Sequence, residues 1–246
     1  MAELRFGKKA AVKDERTLMF RRYVKPEHPA PPESYSSLDR LRESLGTDDV
    51  AELFPMDGND RYGCCVMAGA AHLITNFHGL VGRKEIMPEA EVIRIYLELT
   101  GGSDEGLVVL TTLKYWKRHG IGNHKIEGFV GLEEHDHSDV KTSIWLFGGV
   151  KLGFRVQDAA VSDFEHGRMW EPGRTDGSGH DVTAIGYTKD YIELLTWGGL
   201  QRGSWDWWNE MVDESYGILP PEAREPAFAP GFDFAALQED LVAITG

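Results

Sequence analysis

Apolar positions change their period once along this chain. Leu38, Leu41 and Leu45 recur at helical spacing and Gly46 follows them, which predicts a short helix over residues 37–45. After a polar turn at 58–63, "CVMAGAAHLITNFHG" reads as a helix from Cys65 to Gly79. Its small residues Ala68, Gly69, Ala70 and Ala71 let another backbone come close. Residues 88–99 place Val92, Ile95, Tyr96 and Leu99 on one face behind Pro88, a residue suited to a first turn. Residues 103–119 open on Ser103-Asp104-Glu105 and stop at Gly120, which predicts a fourth helix.

Beyond Gly120 the period shortens. "HKIEGFVGLE" alternates as a strand does, residues 138–148 form a short helix, and "LGFRVQDA", "HDVTAIGY" and "YIELLTW" read as strands, the last two joined by a turn at 188–190. "ESYGIL" supplies a closing strand. The prediction is an α+β chain with three parts: an extended Pro-rich arm over 1–37, a helical lobe over 38–120 and an antiparallel sheet lobe over 121–246.

Composition narrows the function classes. With 246 residues and 41% apolar content the chain can bury one large core or two lobes facing a cleft. A net charge of −14 disfavours nucleic acid and anionic membrane as partners, because phosphate contacts need an excess of Lys and Arg. The arm has the opposite sign: Arg5, Lys8, Lys9, Lys13, Arg16, Arg21, Arg22 and Lys25 stand against Glu3, Asp14 and Glu15. That makes it a body-hugging arm or a docking tail for an acidic protein surface. No run of about 20 apolar residues and no secretory leader is visible, so the expected location is cytoplasmic.

The only cysteines, Cys64 and Cys65, are adjacent and cannot staple distant segments. A thiol at a helix N-terminus faces unpaired N–H groups and the positive end of the helix dipole, both favouring thiolate, and Cys65 holds that place. Its base must come from elsewhere. His180 follows a Gly-Ser-Gly turn at the first position of a strand, and the next strand ends at Thr196-Trp197-Gly198. Antiparallel pairing therefore brings Thr196 back to orient the imidazole, with Trp197 shielding it. Cys64, His72 and His78 are expected to be structural. His135, Asp136 and His137 make only a weak metal motif, and Trp205, Trp207 and Trp208 are expected to cover the sheet.

These segments resemble the papain-like cysteine peptidases, collinearly over about 190 residues. "NDRYGCCVMAGAA" is similar to the stretch in which an oxyanion-hole amide precedes the nucleophile by six positions, and "GHDVTAIGYTKDYIELLTWG" to the strand pair bearing the catalytic His and its orienting Asn. The resemblance implies a two-lobed α+β fold, Cys65 as nucleophile, His180 as base, Thr196 as its orienter and Asn59 as oxyanion donor, acting on a peptide or amide without a cofactor. Asn59 is one methylene shorter than the usual Gln, and Thr196 replaces the usual Asn. A looser resemblance is to short papain-like proteins of bacteriophages and bacteria that end this strand in Thr-Trp-Gly. The alternative it implies is a catalytically weak papain-fold module, for example a virion component.

Overall fold

The computed structural model describes residues 4–224 and 231–244. The arm is broken by turns at 14–17 and 25–28 and by a 3-10 turn at Phe20–Tyr23, then enters strand β1 (Tyr35–Ser36) and helix α1 (Ser37–Leu45). The Ser36 hydroxyl accepts the Leu38 N–H to start α1, and Gly46 at φ 74° ends it. A single turn, α2 (Val50–Leu53), leads to α3 (Cys65–Leu80), all of whose side chains are buried. At Gly69 the space is taken by polar side chains rather than by another backbone: a Cβ there would stand 2.5 Å from the Asp181 Oδ1 and 2.9 Å from the Lys151 Nζ. Helices α4 (Glu89–Leu99) and α5 (Val109–His119) complete this side.

The rest of the chain is β2 (Gly128–Gly131), α6 (His137–Phe147), β3 (Val150–Gln157), α7 (Ala160–Glu165), β4 (Thr175–Tyr187), β5 (Tyr191–Thr196), β6 (Gly199–Ser204), α8 (Trp205–Met211), β7 (Val212–Leu219) and α9 (Phe234–Ala243). Among the described residues the sheet order is β2-β7-β3-β4-β5-β6, with β1 on β4, and every pair is antiparallel. Two apolar clusters result. One joins the sheet to α1, α2, α6 and α8, and the other joins α3, α4 and α5 to Tyr216 and Ile218 of β7. This is the α+β arrangement of helices and antiparallel sheet that the change of period predicted.

Three boundaries differ from the sequence reading. Helix α5 begins at Val109 rather than Ser103, because Asp104 does not cap it: its Oδ1 accepts the Gly63 N–H at 2.8 Å and the Tyr96 O–H at 2.6 Å. Strand β4 begins at Thr175, so the Gly-Ser-Gly expected as a turn is strand and His180 lies inside it, held by pairing with Phe154. The stretch 124–133 keeps only four residues of strand. Helix α8 carries the three expected sheet-covering tryptophans, all buried, capped by the Ser204 hydroxyl on the Trp207 N–H. No helix among the described residues is long and apolar enough to cross a membrane.

Candidate active site

Cys65 is the first residue of α3 and is buried. Its neighbour Cys64 is buried too, but its thiol donates to the Asp57 carbonyl at 3.4 Å. That contact gives Cys64 a structural place. Asp57 also lies 3.3 Å from His72 Nε2, which sits 2.8 Å from the Pro55 carbonyl, so His72 belongs to the same buried polar knot.

On the facing strand β4, His180 Nε2 lies 2.7 Å from Thr196 Oγ1 at the end of β5. Trp197 stacks on the imidazole at 4.5 Å between ring centres and 21° between planes. Trp197 has φ 48° and Gly198 φ 70° because they form the two-residue turn between β5 and β6, where Thr196 pairs with Gly199 and positive φ is needed at both central positions. With Nε2–H assigned as donor to Thr196, the imidazole lone pair stands on Nδ1. That atom is buried and has no hydrogen-bond partner among the described residues.

What fills the cleft is the chain's own arm. Residues 5–9 run between the two sides as an added strand: Arg5 N–H donates to the Asn59 carbonyl at 3.1 Å, Leu107 N–H to the Gly7 carbonyl at 2.8 Å, Lys9 N–H to the Leu107 carbonyl at 2.8 Å and Lys8 N–H to the Gly179 carbonyl at 3.0 Å. The slot is glycine-lined for a steric reason. A Cβ on Gly7 would sit 1.7 Å from the Gly63 oxygen, one on Gly106 would sit 2.1 Å from the Gly7 oxygen, and one on Gly179 would sit 2.4 Å from the Lys8 oxygen. Phe6 caps the imidazole edge-on at 5.7 Å. Both amide hydrogens of Asn59 are engaged, by the Arg5 carbonyl at 3.1 Å and the Tyr62 carbonyl at 3.0 Å. Further along, the arm continues on the body through Met19 beside Gly131, Arg21 on Asp139 and Val24 beside Phe232.

Burial under the arm reverses the electrostatics expected at Cys65. Desolvation, aided by the Asp181 carboxylate, pushes its thiol up to about 12, against the opposing pull of the Asp181 and Gly7 backbone N–H groups and the Lys151 ammonium. The helix N-terminus does not win. His180 moves the other way, down to about 3, through burial first and the Lys151 charge second. With the arm in place the pair is a neutral thiol and a neutral imidazole.

The sequence reading missed three participants. Lys151 on β3 and Asp181 on β4 form a fully buried ion pair at 2.6 Å, the ammonium also donating to the Val66 carbonyl at 2.8 Å. Their signal was present as charges inside otherwise apolar strand runs, "GVKLGF" and "GHDVTAIG". The third is the 5–9 segment, whose only local sign is Gly7 in a basic, otherwise featureless stretch. In the weak metal motif, Asp136 caps α6 by accepting from Ser138 and Asp139, and His137 Nε2 lies 2.8 Å from Asn209 Oδ1. Among the described residues, the group with a geometry fit for a metal is His78, Glu85 and His124, with one donor atom of each within 4.8 Å of the others, at the far end of α3 from Cys65.

No protein-family model matches the chain, and no curated protein matches it in sequence. Solved structures do. Xylellain, a cysteine protease from Xylella fastidiosa, superposes with a TM-score of 0.68 at 13% identity over 89% of this chain and 98% of that one. Digestive procathepsin L 3 from Tenebrio molitor larval midgut gives 0.59 at 13% identity, covering 89% and 77%. The Carica candamarcensis cysteine protease CMS1MS2, solved with E-64, gives 0.57 at 16% identity, covering 77% and 99%. The chain therefore has the fold of the papain-like cysteine proteases.

Proposed function

We propose that this chain is a cysteine hydrolase of the peptidase or amidase type, held latent by its own residues 5–9. The observation that carries the reading is that the helix-start thiol of Cys65 meets the backbone N–H of Asp181, the residue next to an imidazole that Thr196 and Trp197 fix, while the arm touches both, Gly7 at the thiol and Phe6 at the ring. Once the strand leaves, water and substrate reach Cys65 and His180, the desolvation that keeps both neutral is relieved, and the helix N-terminus acts on an exposed sulfur. His180 Nδ1 takes the thiol proton as the sulfur adds to the carbonyl carbon. The Cys65 N–H and the Asn59 amide hydrogen released from Arg5 hold the oxyanion. Collapse breaks the C–N bond, the leaving amine takes the proton from the imidazole, and water resolves the thioester to acid and free thiol.

The arm is poorly placed to be cut by this chemistry. Its Gly7 N–H faces the sulfur, and its Gly7 carbonyl is turned to the Leu107 N–H. The test is turnover of a quenched-fluorescence peptide library by the full-length Gly7→Val chain, whose side chain has no room in the slot. Hydrolysis that disappears in Cys65→Ala and in His180→Ala supports the reading. An opened chain that binds peptides without cleaving them replaces it with the second reading, a papain-fold binding module, which the short Asn59 and the hydroxyl at Thr196 favour.

A further inference from the structure

One arm side chain is buried far more deeply than its chemistry invites. Lys8 leaves the added strand and passes over Gly153 of β3, where a Cβ would stand 2.0 Å from its Cε, so the bare glycine backbone makes the channel for the lysine methylenes. Its Nζ ends 2.9 Å from Asp213 and 3.3 Å from Glu214, with 1% of the side chain exposed. The Tyr216 hydroxyl donates to the other Glu214 oxygen at 3.1 Å.

Two consecutive carboxylates ordinarily point to opposite faces of a strand. Here a bulge changes that. Gly153 pairs with Glu214 and Phe154 with Val212, leaving Asp213 as the extra, unpaired residue, and the local kink turns its carboxylate toward the same Nζ as Glu214. The acidic end belongs to β7 and stays when the arm goes. It also opens onto a cavity of about 500 Å³ roofed by arm residues that include Ala11, Val12 and Thr17, so the space continues beyond Lys8 once the arm is lifted.

We propose that the Gly153, Asp213, Glu214 and Tyr216 pocket is a side-chain recognition site for a basic residue, lysine first and arginine second, in the peptide that replaces the arm. This rests on the hydrolase reading above for its catalytic consequence, though not for binding. A neutral side chain in that place leaves the buried Glu214 carboxylate without a cation and gives the partly exposed Asp213 no partner beside it. A lysine ammonium reproduces the contacts that Lys8 makes, and burial already raises the Glu214 carboxyl above its ordinary range, a cost the incoming cation offsets. The discrimination therefore comes from rejection of apolar and acidic residues as much as from attraction of basic ones.

The full-length Gly7→Val chain is assayed with peptide libraries in which one position at a time is fixed as Lys, Arg, Leu or Glu. At one position, kcat/KM for Lys is expected to exceed that for Leu by about tenfold or more, and the preference is expected to fall to about twofold or less in Gly7→Val with Asp213→Asn and Glu214→Gln. Equal rates for Lys and Leu at every position, or a preference that survives the amide substitutions, overturn the assignment. Binding gives a second reading. The pentapeptide RFGKK, which copies residues 5–9, and its RFGLK analogue are titrated into the Gly7→Val chain by calorimetry. Binding about tenfold tighter for RFGKK supports the pocket even if no peptide is cleaved, an outcome that would refute the hydrolase alone; equal affinities overturn the pocket.

Discussion

The latent state makes a quantitative demand on Cys65. A thiol pushed from 9.0 up to about 12 carries about a thousandfold less thiolate near neutral pH than an ordinary one. Each thiolate of higher basicity is more nucleophilic, and with a Brønsted slope of roughly 0.45 this returns a factor of about 20. The net chemical handicap in exchange with a small aromatic disulfide is therefore about 50-fold, before any steric cover from the arm is counted. In Gly7→Val the new side chain meets the Gly63 oxygen, which cannot retreat because Asp104 holds the Gly63 N–H. The arm is displaced and the handicap goes with it. The exchange rate at Cys65, resolved by mass spectrometry at about pH 7.5, is expected to rise by at least about 50-fold over wild type. Cys64, whose buried thiol is held by the Asp57 carbonyl, is the internal control and is expected to stay slow. Equal Cys65 rates in the two proteins, or a wild-type rate matching that of a free thiol, would refute the account.

His180 gives a pH signature. Its folded pKa is depressed from 6.5 to about 3, so it contributes stability that is present above 6.5 and is lost as pH falls toward 3. Asp181, raised from 3.8 to about 7, works in the opposite sense over much of the same window, so the comparison must be with His180→Gln. Urea unfolding should show the wild-type advantage over that variant shrinking by about 3 kcal/mol from about pH 7 to pH 4; a constant difference contradicts the buried neutral imidazole. Thr196→Val leaves a buried imidazole N–H without its acceptor and is expected to cost about 1–3 kcal/mol, with Thr196→Ser restoring most of it, both read from denaturant midpoints. Lys151→Met strands the buried Asp181 carboxylate and should destabilise by about 3–5 kcal/mol, most of it recovered in Lys151→Met with Asp181→Leu. A double variant no better than the single one would show that the pair does more than neutralise itself.

How far the sequence disclosed the molecule depended on the range of the interaction. Helix α3 was legible because its small residues and flanking glycines are local, and the contact of His180 with Thr196 was legible because a tight turn at 188–190 joins their strands. The start of α5 was misplaced because Asp104 has two tertiary partners that outcompete capping. The Gly-Ser-Gly before His180 looked like a turn because glycine propensity is local, whereas its strand conformation comes from β3 on one side and the arm on the other. The thiol chemistry was misjudged for the same reason. A helix N-terminus is visible in a sequence; the segment that buries it, about 57 positions away, is not. Nor does any local pattern place Lys8 beside Asp213, because the bulge that aims the carboxylate depends on strand register.

The added strand also supplies a clock. The amide hydrogens of Lys8 and Lys9 in the arm, and of Leu107 a hundred positions later, are all held by bonds that exist only while the strand is seated. At a pH high enough for exchange to outpace reclosing, deuterium should enter all three at one common rate, set by the unseating of residues 5–9, and faster than into the β3–β4 ladder beneath. That shared rate measures how often the cleft opens in the unmodified protein, with no substrate, probe or mutation needed.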